Sequence, residues 1–114
     1  MTFPIKRHDL RPYLTAQFFE SDEVTPAPLT DATKVTFVLK TKNAAGDAIP
    51  VIERECSITD AALGKITFEW QAGDTDTAGD YEYEFEIDWN GEPQTVPPDG
   101  FLALKIWDDA STVV

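Results

Sequence analysis

A few side chains in this sequence have the types and spacing that chemistry uses. His8 is the single histidine and Cys56 the single cysteine, so a Ser/His/Asp or Cys/His mechanism would need His8 as its base. His8 stands among Lys6, Arg7 and Asp9 with no nucleophile-elbow or papain-type context, as a solvated surface histidine does. Cys56 falls on an alternating segment, the usual place of a small buried hydrophobe. Asp74, Asp76 and Asp80 in GDTDTAGD bring three carboxylates into one loop, and calcium takes oxygen ligands at such spacing. They are only weak calcium candidates, because Ala78 occupies the third-ligand position and no bidentate Glu closes the loop. The expectation is therefore an Asx-rich turn, with no metal and no cofactor.

Glu82, Glu84, Glu86 and Asp88 form an acidic stripe. Paired catalytic carboxylates need a cleft and distinct environments, whereas residues at i and i+2 on one strand face have neither. A solvated or partner-facing surface is expected, with Lys34 and Lys40 pairing to it if their strand lies alongside. Of the three tryptophans, Trp70 and Trp89 fall on core-facing positions. Trp107, beside Asp108 and Asp109, is the surface aromatic that would stack on a sugar ring or contact a partner. With no catalytic constellation, the chain is not expected to be an enzyme.

The elements that must position these residues are strands. In 80–89, DYEYEFEIDW, aromatic and aliphatic residues alternate with acids, the period-two pattern of a half-buried strand. Segment 64–70 repeats it with Ile66, Phe68 and Trp70 inward, and 33–41 does so with Val35, Phe37 and Leu39, Val38 departing from the polar face. Segment 10–19 reads as an edge strand because Pro12 has no N–H to give a central ladder. Segment 51–58 carries Ile52, Cys56 and Ile58 on one face with Arg54 intruding, and 101–107 is apolar on both sides, as a strand covered on both faces would be. Whether 51–58 lies beside the acidic strand or in the opposite sheet is open. Gly- and Pro-rich turns separate these runs, Asn90-Gly91 being the strongest hairpin signal, and a single helical turn is expected over 59–63.

About seven short antiparallel strands with regularly spaced turns indicate an all-β sandwich. Segment 75–83, TDTAGDYEY, narrows it: Gly79 permits a tight turn and Tyr81 opens the strand, a tyrosine-corner pattern of immunoglobulin-like sandwiches. Tyr83 stands where antibody domains carry their second cysteine, which excludes the antibody variety.

The 114 residues suit a single domain, 1–114, with no repeat or interdomain linker. A formal net charge of −12 argues against nucleic-acid and anionic-membrane partners. The start of the chain has no signal-peptide pattern, and no run of about 18 apolar residues occurs. A soluble product of the cytoplasm is expected.

The segments 5–9 (IKRHD), 29–40 (LTDATKVTFVLK), 64–87 (GKITFEWQAGDTDTAGDYEYEFEI) and 100–109 (GFLALKIWDD), in that order, resemble small immunoglobulin-like phage proteins. In particular they resemble the N-terminal domain of the baseplate upper proteins of tailed bacteriophages and related stand-alone phage and prophage proteins. The resemblance implies a non-enzymatic structural protein of a tailed phage or prophage particle, made in the bacterial cytoplasm and residing in the virion at the tail, baseplate, neck or capsid surface. Its partners would be other virion proteins, with a homo-oligomer in a symmetric assembly as a further option. The oligomerising regions of baseplate upper proteins do not follow residue 114, so a small module on a larger surface is expected.

Two terminal segments are the docking candidates. In 1–9, Phe3 and Ile5 are apolar next to Lys6 and Arg7; an ordinary first strand is the equal alternative. In 109–114, Val113 and Val114 end an open tail after Trp107, and the last strand would add to a partner's sheet. The alternative function is a carbohydrate-binding sandwich module that uses Trp107 in adsorption to the host surface.

Overall fold

The computed structural model describes residues 2–42, 45–98 and 100–108. It is all-β, with nine strands and no helix among the described residues. These are β1 (Thr2–Lys6), β2 (Leu14–Gln17), β3 (Lys34–Lys42), β4 (Ala48–Glu55), β5 (Ser57–Asp60), β6 (Lys65–Phe68), β7 (Gly79–Trp89), β8 (Glu92–Val96) and β9 (Leu102–Trp107). One sheet runs β1-β9-β7-β3-β4, with β8 paired to β7; the other runs β2-β6-β5. The first is mixed, because β1 pairs with β9 in parallel. The arrangement is consistent with a β-sandwich.

The alternating strands face the core as their pattern requires. Val35, Phe37 and Leu39 of β3, Phe85 and Ile87 of β7, and Ile66 and Phe68 of β6 are buried in one cluster that joins both sheets. At its centre, the Phe37 ring of the large sheet lies 4.2 Å from the Phe68 ring of the small one, and Trp70, Tyr83 and Phe85 complete the aromatic group around it. Each such ring removes roughly 150–250 Å² from water.

Several expectations are corrected. Nine strands replace about seven, and one pair is parallel where all were expected to be antiparallel. Segment 51–58 is two strands in different sheets: β4 pairs with β3, β5 pairs with β6, and the chain crosses between layers at Cys56, whose N–H donates to the Val35 carbonyl at 2.8 Å. Periodicity is the same on either side of that crossing, so alternation alone does not reveal it. The strand expected over 10–19 is confined to Leu14–Gln17, an edge strand that begins after Pro12. In place of a helical turn over 59–63, β5 runs through Asp60 and a tight turn follows, with Asp60 Oδ1 accepting from the Leu63 N–H. β9 is covered on one face only: Leu104 and Ile106 are buried, while Ala103 and Trp107 on the opposite face are exposed.

Two turns are fastened by specific groups. Gly64 sits at φ +67°, and a Cβ there would lie 2.3 Å from the Ala27 carbonyl oxygen. Its own carbonyl accepts from the Phe18 N–H, and Phe18 in turn accepts from Ala27. The loop after β2 is thereby tied to the turn before β6. At the other turn, Gly79 adopts φ +153° and the Tyr81 hydroxyl donates to the Thr77 carbonyl at 2.7 Å.

Candidate docking face

The β1–β9 ladder lays the first and last strands side by side. Lys6 is in register with Trp107, the Arg7 N–H donates to the Trp107 carbonyl at 2.7 Å, and the Arg7 guanidinium lies 3.5 Å from the Asp108 carboxylate. Beside this ladder is a groove of about 330 Å³ walled by Pro4, Pro12 and Trp107, with Lys6, Arg11 and Asp9 at its margin. Trp107 is half exposed, and Lys105 Nζ sits 4.2 Å from its ring centroid. That cation occupies part of the ring face a sugar would need.

Charge is distributed unevenly around the molecule. Of the nine Lys and Arg residues, Lys6, Arg7, Arg11 and Lys105 gather at this end. Elsewhere Lys40 is bound to Glu84 at 2.7 Å, Lys42 to Glu82 at 3.5 Å and Arg54 to Asp74 at 2.8 Å. Among the described residues, no carboxylate pairs with Lys6 or Arg11. Lys34 and Lys65 also have no ion pair among the described residues, so what marks the groove margin is that two such cations, Lys6 and Arg11, stand together beside the walls of Pro4, Pro12 and Trp107.

The remaining candidates disperse. Phe3 is half-buried against Trp70, and Ile5 is buried in the core, so the apolar residues of β1 hold the strand in place and only Lys6, Arg7 and the groove walls remain to meet a partner. Val113, Val114 and Asp109 lie outside the described residues. β9 is flanked by β1 and β7, so it has no free edge to add to another sheet. The strands that border the large sheet are β1, β4 and β8, and each carries a proline: Pro4, Pro50 and Pro93. Lacking an N–H, these residues blunt the sheet against strand addition. Strand addition at these edges is therefore disfavoured, which leaves side chains as the groups this end presents.

The three loop aspartates do not converge. Asp74 holds Arg54, Asp76 faces His8 Nε2 at 3.7 Å, and Asp80 faces Lys105 at 3.7 Å. Among the described residues no three His, Cys, Asp or Glu side chains are placed to share a metal ion. Asp74 organises the turn instead, accepting from the Gln71 N–H at 2.7 Å. His8 is exposed, at φ +74°, with Asp76 as its ring partner. Cys56 is buried, and desolvation, reinforced by Glu55 and opposed by a hydrogen bond from Phe37, pushes its thiol up to about 12. It is a protonated core residue at neutral pH.

The acidic stripe is less solvated than alternation implies. β3 lies against β7, Lys34 is in register with Asp88, and Lys40 and Lys42 hold Glu84 and Glu82, leaving Glu86 as its exposed member. Arg11, Pro4 and Pro12 are the groove residues that sequence reasoning missed. The spacing of Lys6, Arg7 and Arg11 carries a signal for it, whereas Pro12 in the sequence signals only a strand edge.

A scan against protein-family models finds no match for the chain, and a search of the curated proteins finds none either.

Proposed function

We propose that this chain is a non-enzymatic structural protein of a tailed phage or prophage particle, an immunoglobulin-like sandwich that docks on other virion proteins through the β1–β9 end. The observation that carries the reading is the groove of Pro4, Pro12 and Trp107 rimmed by unpaired Lys6 and Arg11, in a body of net charge −12. An acidic body repels its own copies and packaged DNA, while a local cationic margin gives a partner with acidic side chains a favoured place to land. The strand order β1-β9-β7-β3-β4 against β2-β6-β5, with a parallel first strand and the Tyr81–Thr77 hydrogen bond, supports the immunoglobulin-like assignment. The resemblance to small phage proteins supplies the particle, and the virion is the proposed location.

Mass spectrometry of gradient-purified particles from the strain that encodes the chain tests the reading. The protein should co-purify at a fixed copy number per particle, and its absence from intact particles would overturn the proposal. Lys6→Glu combined with Arg11→Glu should leave the protein folded but missing from particles, since both side chains are exposed.

A further inference from the structure

A hollow larger than the docking groove is at a different place, between the 19–28 loop and β8, with a volume of about 750 Å³. Its walls include the Phe19 and Trp89 rings, and its polar groups are Glu20, Ser21, Glu23 and Gln94. Neither wall needs to be ordered by a ligand. Trp89 Nε1 donates to Gln94 Oε1 at 2.8 Å, which fixes the indole and leaves the Gln94 amide N–H groups without a hydrogen bond among the described residues. The opposite loop is braced by Asp22, which accepts from the Val24 and Thr25 N–H groups and the Thr25 hydroxyl. Phe19 bridges to Pro26, and the Glu20 N–H donates to the Thr25 carbonyl. This loop nevertheless leaves Phe19 46% exposed on the hollow. A rigid loop that displays an aromatic ring is preorganised for contact.

We infer that this hollow binds a short, uncharged oligosaccharide. The volume is that of a small-ligand site. Phe19 and Trp89 line the hollow, and aromatic residues are the apolar side chains that pack against the C–H face of a sugar. Glu20, Glu23 and Ser21 accept hydrogen bonds from hydroxyls while Gln94 donates to them, the two-way pattern a polyol requires. Among the described residues no cation lines the hollow, and the two glutamates repel an anionic sugar. A basic peptide would use the glutamates but has no need of the Gln94 donors. The inference is independent of the docking face and places sugar recognition away from Trp107.

The test is an NMR titration of the full chain, following the three indole N–H resonances. The probes are uncharged trisaccharides of glucose, galactose, N-acetylglucosamine or rhamnose, with tetralysine alongside. At least one trisaccharide should shift the Trp89 indole and the amides of 19–28 saturably while leaving those of Trp70 and Trp107 in place. Phe19→Ala and Gln94→Leu, both at exposed positions, should each weaken that binding by about tenfold. Four outcomes would overturn the inference: no shift with any trisaccharide, shifts centred on Trp107, shifts with tetralysine alone, or unchanged binding in both variants.

Discussion

Arg54 and Asp74 hold one another through two parallel hydrogen bonds, Nη1 to Oδ2 at 2.8 Å and Nη2 to Oδ1 at 2.9 Å. The pair links β4 to the loop between β6 and β7, and the guanidinium also covers the Phe68 ring, 5.3 Å from its centroid. The bidentate geometry makes the interaction directional as well as attractive.

This pair gives the molecule an acid-sensitive contact. Burial acts to raise the Asp74 pKa, but hydrogen bonds from Arg54 and the Gln71 N–H, with the Arg54 charge, outweigh it and hold the carboxyl below its ordinary value. A carboxyl lowered on folding stabilises the protein fully above its unfolded value of about 4, and that contribution disappears as the pH falls through the lower folded value. Arg54→Met should cost about 1.5–3 kcal/mol at pH 7. Urea titrations should show the stability gap between wild type and Asp74→Asn narrowing below about pH 4.

Gly64→Ala should be among the most damaging of small substitutions. The added carbon meets the Ala27 carbonyl at 2.3 Å in a left-handed backbone, and neither backbone can retreat without breaking the Phe18 and Ala27 hydrogen bonds. A loss of at least about 3 kcal/mol is expected in thermal or urea unfolding. Gly91→Ala, where nothing lies within 4 Å, should cost much less, reflecting backbone strain alone.

Tyr81→Phe removes one hydroxyl and its hydrogen bond to Thr77 while leaving the ring packed. The loss should be about 1 kcal/mol by equilibrium unfolding. Tyr83→Phe, at a hydroxyl that makes no such bond among the described residues, should change stability by less.

The Cys56 thiol should be silent to disulfide reagents in the folded protein. Its pKa of about 12 leaves a negligible thiolate fraction at neutral pH, and burial blocks access. Labelling in native buffer should follow opening of the fold, slower by a factor of at least about 10³ than in denaturant.

The strands with one wet and one dry face were legible from residue order. β3, β6 and β7 fall where Val35–Phe37–Leu39, Ile66–Phe68 and Tyr81–Phe85–Ile87 alternate with polar residues, because burial of one face enforces period two. The crossing at Cys56 was not legible, since it depends on which backbone accepts the next N–H and not on the side chains that flank it. Arg54 intrudes on an apolar face in the sequence and Asp74 reads there as one member of an Asx-rich turn; the ion pair accounts for the intrusion, through a pairing across 20 positions that no local pattern encodes. The groove was half visible. Lys6, Arg7 and Trp107 stood out by type, but their meeting arises from a parallel pairing of opposite ends of the chain.

That parallel pairing also sets how the domain bears tension. Thr2 lies beside Ala103 and Lys6 beside Trp107, so the chain enters at one end of the ladder and leaves at the other. A pull on the two ends slides β1 along β9 and loads their hydrogen bonds together, where an antiparallel hairpin pulled at its open end would unzip them one at a time. Rupture then needs the concerted loss of a five-residue ladder, and the lifetime under load is governed by the rate of forced unfolding rather than by equilibrium stability. A clamp of this kind keeps a domain folded under a pull that would open a hairpin of equal length.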